Sequence, residues 1–390
     1  MAIKATLLNT MLSATLMWSA AQSAGAEDGI TATTVKLGQC AALSGPAAGL
    51  GTGMKSGMEA AFAEVNKAGG VSGRTITLTS VDDGYDPDRC VDATVKLIEE
   101  QKVFALVGYV GTPTGKAALP VVSELKVPLI GLFTGAGLFR TPVNPFVFNL
   151  RASYDNETEV LVEHLTKDLA AKKIAVFYQN DSFGQAGLSG TEKALTKRSM
   201  TVVAKGTFER NTVAVKTGLA TILAGAPDAV VMVGPYKPIA AFVKEARAAG
   251  LTIPFATISF VGTESLIAEL AAAADGLVIS QVVPSPDDTA IPVVKSYRDA
   301  LAAHVPDAKP SYVGLEGYVS ARLFLEGLKH VTGEPTRLGL VQALDGLADF
   351  DLGGMKLSIS KTDHQASDEV FLTQVAAGKA KAVTTLVKVP

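Results

Sequence analysis

Apolar residues along this chain recur with two periods. Short runs rich in β-branched residues occupy 35–39, 75–81, 104–108 and 128–133, and between them apolar positions return with the spacing of an amphipathic helix. In the first of these helices Met54, Met58, Ala61, Phe62 and Val65 fall at i, i+4, i+7, i+8 and i+11, a single stripe suited to lie against a sheet. A second block repeats the pattern, with runs at 174–178, 202–208, 229–233 and 254–259 separated by helical segments such as 188–198 and 239–249. Strands that are apolar nearly throughout, alternating with helices, are what parallel sheets covered on both faces require. The expected fold class is therefore α/β, with two doubly wound parallel-sheet lobes.

Beyond the second block, 277–283 reads as one more strand, 313–331 as a long helix, and 336–390 as a helix followed by short strands and turns. These pieces are too small to bury cores of their own, so they must complete the two existing sheets and the chain must pass between domains more than once. The first passage is expected near 150–154, and later ones at Pro284 and Pro286 and at the Thr332-Gly333-Glu334-Pro335 turn. That divides the chain into a first lobe of 27–151 with 284–332 and a second of 152–283 with 333–390, joined by a three-crossover hinge.

Residues 1–26 stand apart. They hold one cation, Lys4, no acid, an apolar stretch at 5–21 and the triplet Ala24-Gly25-Ala26 ahead of Glu27, the make-up of a secretory signal peptide cut after Ala26. Asn9, Thr10, Ser13, Thr15 and Ser19 dilute the stretch below what a membrane-spanning helix needs. Export leads to an oxidising compartment, where Cys40 and Cys90 can pair as a disulfide; two buried thiols are the alternative. The 390 residues are 48% hydrophobic with a net charge of -3 and no long Lys/Arg run, which suits a globular protein and leaves nucleic acid without an electrostatic footprint.

Open parallel sheets bind ligands beyond the carboxyl ends of their strands, so the polar loops there carry the chemistry. After 104–108 come Tyr109, Val110, Gly111, Thr112, Pro113 and Thr114, where Thr112 can cap a helix whose first residue is Pro113. Such a terminus can hold an anion, or Thr112 can simply satisfy its own helix. Ser44 follows the first strand, Thr134 and Gly135 the fourth, and Phe183 lies in the loop that opens the second block; Tyr236 and Ser259 sit at strand ends facing them. Enzyme signatures do not appear. The Gly49-Leu50-Gly51-Thr52-Gly53 run has Met54 where a dinucleotide loop needs its third glycine, and His164, His304, His330 and His364 are scattered as solvated surface residues would be. The acidic run 82–88 lacks calcium-loop spacing, and Asp86 reads instead as the cap of a helix starting at Pro87. No catalytic group, cofactor or metal is expected.

Taken in order, Gly38-Gln39 through Ser44-Gly45-Pro46, the segment 66–73, Asp82-Asp83-Gly84-Tyr85-Asp86-Pro87, Gly108 through Thr114 and Val127-Pro128-Leu129-Ile130 resemble the leucine/isoleucine/valine-binding protein family, the periplasmic type I solute-binding proteins of ABC importers. The resemblance implies two lobes that close on a ligand, a periplasmic monomer, and delivery to an ABC transporter permease at the membrane. It places Thr112 at a ligand-carboxylate position, Thr134 and Gly135 on the companion loop, Phe183 where a tyrosine is frequent, and Leu50 where an aromatic can cover the ligand. Ser44, Tyr109, Thr114 and Tyr236 complete the expected ligand-binding set. Ser259 falls where the family has an acid for the ligand's ammonium, so a buried ammonium would lack its counter-charge unless another acid, such as Glu316, moves in. The expected ligand is a small carboxylate-bearing solute, either a branched-chain amino acid or a related aliphatic or aromatic acid. A ligand-sensing subunit of a signalling receptor is the alternative role.

Overall fold

The computed structural model describes residues 27–388; the leader reading of 1–26 falls outside them. The first sheet holds β1 (Thr34–Ala41), β2 (Thr75–Asp82), β3 (Ala105–Val107), β4 (Leu129–Ile130) and β5 (Val147–Phe148) in the order β2-β1-β3-β4-β5, all parallel. Its strands are joined through α1 (Ala48–Lys67), α2 (Pro87–Val95) and α3 (Thr112–Glu124). The chain then leaves for a second sheet built on β6 (Ile174–Gln179), β7 (Lys205–Phe208), β8 (Ala229–Val233), β9 (Phe255–Thr257) and β10 (Val278–Gln281), again parallel. Helices α4 (Tyr154–Lys167), α5 (Ser182–Thr196), α6 (Lys216–Ala224), α7 (Tyr236–Ala248) and α8 (Thr263–Leu270) accompany it. Every residue of β6 and β8 is buried, as strands covered on both faces must be. Phe177 shows how: its ring stacks on Phe208 at 5.1 Å and on Phe242 at 3.9 Å.

Three helices return to the first sheet: α9 (Pro292–His304), α10 (Tyr312–Lys329) and α11 (Arg337–Asp345). Helix α10 lies so close along α1 that a Cβ at Gly57 would strike the Gly314 carbonyl and one at Gly317 the Met54 backbone. The glycine run beginning at Gly49 therefore lies inside and at the start of a helix, where it permits tight packing.

The boundary expected at 332–335 is corrected. That turn only joins α10 to α11, and Leu340, Leu344, Leu347, Leu357 and Ile359 share one core with Ile130, Phe148 and Tyr318 of the first lobe. A short ribbon, β11 (Phe350–Asp351) with β12 (Lys356–Leu357), and the Asn149–Gln365 bridge keep the chain there through 365. The reason is hydrophobic: the apolar face of α11 has its partners on α10, so the residues that follow stay beside it. His364 is corrected with it, since it is buried, stacks on Phe148 at 4.1 Å and meets Asp345 Oδ1 at 3.0 Å. Only then does the chain cross to β13 (Phe371–Ala376) and β14 (Lys379–Ala382), which add an antiparallel edge to the second sheet.

Side-chain caps close the starts of α2, α4, α5, α10 and α11. Asp86 accepts from the amides of Asp88 and Arg89 ahead of α2, and Ser153 and Asn156 form a reciprocal box at α4. Helix α3 departs by one residue: Gly111 is its cap and Thr112 its first residue, so the Thr112 hydroxyl has no capping duty.

Cys40 at the end of β1 and Cys90 in α2 are joined as a disulfide, with Cα atoms 5.9 Å apart and 50 residues between them in sequence. Closing a loop of that length restricts the unfolded chain, so the Cys40→Ala/Cys90→Ala double variant should lose about 2–4 kcal/mol of stability in denaturant unfolding. An unchanged midpoint would mean that the bridge does not form in solution.

Candidate functional site

The carboxyl ends of both sheets face each other, and side chains from the two sides meet. The Gly49 amide donates to Tyr236 Oη at 3.2 Å, Asn211 Nδ2 to the Gly84 carbonyl at 3.1 Å, and the Tyr312 amide to Glu264 Oε1 at 3.0 Å. Aromatic rings do the same over a wider front. Phe260, in the turn after β9, lies 4.4 Å from Phe183, 5.1 Å from Phe133 and 6.2 Å from Tyr85, and Tyr154 lies 5.5 Å from Phe183. Tyr85 is carried across by a loop with left-handed backbone (φ 62°), and the Arg210 guanidinium covers its ring at 5.9 Å. Burial pushes its hydroxyl pKa well above the ordinary value.

Beside this aromatic wall lies a buried charge cluster. Arg151, on the segment leaving the first sheet, is fully buried; its guanidinium lies 5.0 Å from the Phe133 centroid and 5.8 Å from that of Tyr154. Nη2 donates to Glu157 Oε1 at 2.9 Å and to the Ser259 hydroxyl, and Nη1 lies 3.4 Å from Glu316 Oε1. Glu157 in turn accepts from the Ser259 amide at 2.8 Å and from the hydroxyls of Ser259 and Ser280 at 3.1 and 2.7 Å. Arg140, close by, spends its donors on Gln365 and on the carbonyls of Ala136, Thr134 and Arg151. Among the described residues, Arg151 Nε and Nη1, Tyr154 Oη and Gln179 Oε1 are buried without a hydrogen-bond partner.

Most of the expected site residues converge here. Thr112 and Thr134 bring their hydroxyls within 2.6 Å of each other. The Gly135 carbonyl accepts from the Tyr154 amide at 2.7 Å, and a Cβ at Gly135 would press on the Tyr154 ring. Phe183 is in the aromatic wall, Leu50 and Tyr236 pack around Gly262, and Ser259 is at the charge cluster. Three do not join them. Ser44 is exposed, and its amide and hydroxyl bind the Asp82 carboxylate, which burial would raise but hydrogen bonds from Ser44, Gly84 and Leu43 hold down to about 2. Tyr109 points into the first lobe, where its hydroxyl meets Thr94 at 3.0 Å. The Thr114 hydroxyl donates back to the Val110 and Gly111 carbonyls at 2.5 and 3.0 Å. The stand-in acid at Ser259 is also corrected: Glu157, not Glu316, occupies that place, and its oxygens are already taken by four donors.

Sequence reading missed Arg151, Tyr154, Glu157, Phe260 and Tyr85. Glu157 has the look of an ordinary first-turn helix acid, and Phe260 lies in a turn with no period to mark it. Arg151 left one trace, a lone cation directly after the stretch Phe146-Val147-Phe148-Asn149-Leu150, apolar but for its asparagine.

Two α/β lobes meeting through their strand ends around buried polar and aromatic side chains are the architecture of a binding protein. The chain matches the family model described as periplasmic binding protein over residues 34–380 and belongs to that family, within its leucine/isoleucine/valine-binding branch. It is 26% identical over 347 residues to Leu/Ile/Val-binding protein homolog 7 of Brucella abortus (strain 2308), covering 85% of this chain and 82% of that protein. A crystal structure described as a possible leucine/isoleucine/valine-binding protein from Rhodopirellula baltica SH 1 superposes with a TM-score of 0.87 at 37% identity, covering 93% of this chain and 98% of that one. The branched-chain amino acid transporter substrate binding protein LivJ from Streptococcus pneumoniae, in complex with isoleucine, shares the fold at 23% identity (TM-score 0.79), covering 91% of this chain and 100% of that one. The protein is thus a solute-binding protein and not an enzyme, and its family is extracytoplasmic.

Burial raises the carboxyl pKa of Asp83, Glu264 and Glu316 to about 7 each. Each folded-state value lies above the unfolded one, so the stability these groups contribute is full below about pH 4 and is lost as pH rises through 7. The melting temperature should therefore fall between pH 5 and 8. A melting temperature that does not fall across that window in differential scanning fluorimetry would show that these carboxyls do not hold raised values in the fold.

Proposed function

We propose that this protein is the periplasmic binding component of an ABC importer, a monomer that traps a small carboxylate-bearing solute between its lobes and presents the closed form to a membrane permease. The observation that carries the ligand class is the Thr112–Thr134 hydroxyl pair and the Arg151 guanidinium lying next to rings from both lobes. Hydroxyls and a cation suit a carboxylate, and the rings suit an apolar body, aromatic or aliphatic. Closure then follows if the ligand touches both lobes, because a ligand shifts the open-closed equilibrium by no more than its differential affinity.

A thermal-shift screen of branched-chain amino acids, aliphatic acids and aromatic acids tests this reading, since a tight ligand raises the melting temperature by mass action. With a hit in hand, Thr112→Ala should weaken calorimetric affinity by roughly 1–3 kcal/mol, the worth of a hydroxyl on an anion in a dry cleft. Unchanged affinity would remove Thr112 from the site, and a screen without a carboxylate hit would remove the ligand class.

A further inference from the structure

Resting on the carboxylate reading of the cleft, we infer that Arg151 is the ligand's counter-charge and Glu316 the partner that yields to it, so that the site takes monocarboxylic acids lacking an α-ammonium group.

The argument starts from who is free. Of the charges gathered here, half-buried Arg140 has its donors on three carbonyls and Gln365, and buried Glu157 takes four donors on its two oxygens. Both are locked. Arg151 is bonded through Nη2 alone, leaving Nε and Nη1 unpartnered among the described residues, although a buried guanidinium N–H without an acceptor is costly. Glu316 approaches Nη1 at 3.4 Å as an ion pair but makes no side-chain hydrogen bond among the described residues. It is therefore the loosest member of the cluster, and an incoming carboxylate can accept from Nη1 in its place.

An α-ammonium would need the reverse arrangement. With a serine at 259, the one acid at that position is Glu157, which is saturated and paired with Arg151. Glu264, on α8, is engaged with the Tyr312 amide at the start of α10, and Asp181 is bonded to Arg210, Gln179 and the amides of Phe183 and Gly184. A ligand ammonium brought next to Arg151 would meet a like charge, and Glu316, the loosely held acid beside it, would have to stay ionised in the buried cluster next to Glu157 to face it.

Displacing a carboxylate with a carboxylate leaves one negative charge too many unless Glu316 takes a proton. The charged groups that face it are Arg151 from the crossing segment, Arg140 from the loop after β4 and Glu157 from α4; Glu264 and Tyr297 lie toward the N-terminal end of α10, and α1 brings Met54 beside Gly317 without a charge. Burial, partly opposed by Arg151, places the Glu316 carboxyl at about 7, while Arg151, which burial alone would lower, is held above its ordinary value by Glu316 and Glu157. Binding above neutral pH therefore couples to uptake of one proton: ligand carboxylate and Glu316 carboxylate plus H⁺ give bound carboxylate and neutral Glu316.

Isothermal titration calorimetry of the mature protein with matched pairs reads this directly: 4-methylpentanoate against leucine, and 3-phenylpropanoate against phenylalanine, at pH 6–8.5 in buffers of different ionisation enthalpy. The acid of at least one pair should bind at least tenfold more tightly than its amino acid, take up close to one proton at pH 8, and weaken up to about tenfold per pH unit above 7. Glu316→Gln, which keeps the shape and leaves Arg151 paired with Glu157, should abolish the proton uptake and flatten the pH profile while binding more tightly at pH 8. Amino acids that bind as well as or better than their acids, or acid binding without proton uptake and with the same pH profile in Glu316→Gln, would overturn the inference and leave the carboxylate reading standing. If no member of either pair binds, the carboxylate reading falls and takes this inference with it.

Discussion

Charges taken out of water must be paired, and the centre of this protein is organised by three of them, with half-buried Arg140 alongside. Each buried ion costs several kcal/mol that only well-placed partners offset. Arg140 comes from the loop after β4, Arg151 from the segment that leaves the first sheet, Glu157 from the first turn of α4 and Glu316 from the first turns of α10. Pairing Arg151 with Glu157, and Glu157 with Ser259 and Ser280, ties the first crossing to the strand ends of the second sheet. The walls of the cleft are then set on either side of a fixed point.

Around that point the lobes touch through contacts of unequal strength. The polar ones include a tyrosine on an amide, an asparagine on a carbonyl and a glutamate on a helix start. The rings contribute more area, with Phe260 meeting Phe133 and Tyr85 of the first lobe and Phe183 of its own. Aromatic faces are tolerant of sliding where hydrogen bonds are not, which suits surfaces that must part and rejoin. The tight glycine packing of α1 on α10 does the opposite, making the two longest helices of the first lobe one rigid body.

The fold was legible wherever periodicity and burial agree. β8 is found at the expected 229–233, because a strand buried on both faces is apolar throughout, and β1, β2 and β6 extend the expected runs by a residue or two at their ends. β5 escaped notice because two residues, Val147 and Phe148, carry no period, and the third crossing was misplaced because a turn signal marks a turn, not its destination. At the site, loop hydroxyls and glycines pointed to Thr112, Thr134 and Gly135, since strand ends are where parallel sheets expose amides. Ser44, Tyr109 and Thr114 have the same character but spend it on Asp82, Thr94 and their own loop. Arg151 and Glu157 could not be read, because a buried ion pair is made by residues whose types also belong on surfaces, and only the fold reveals which ones are enclosed.

The late return of the chain to its second sheet bears on how the molecule is made. β10 pairs with β13 through Val278 and Gln374, and the residues between them pack on the other lobe. Until the carboxyl terminus arrives, the edge of β10 presents unpaired amides and carbonyls, the template on which strands of neighbouring chains associate. Contacts so distant in sequence also form slowly. The second lobe is thus the last to mature during biogenesis, and a chain truncated before 371 would carry a well-packed first lobe beside an adhesive one.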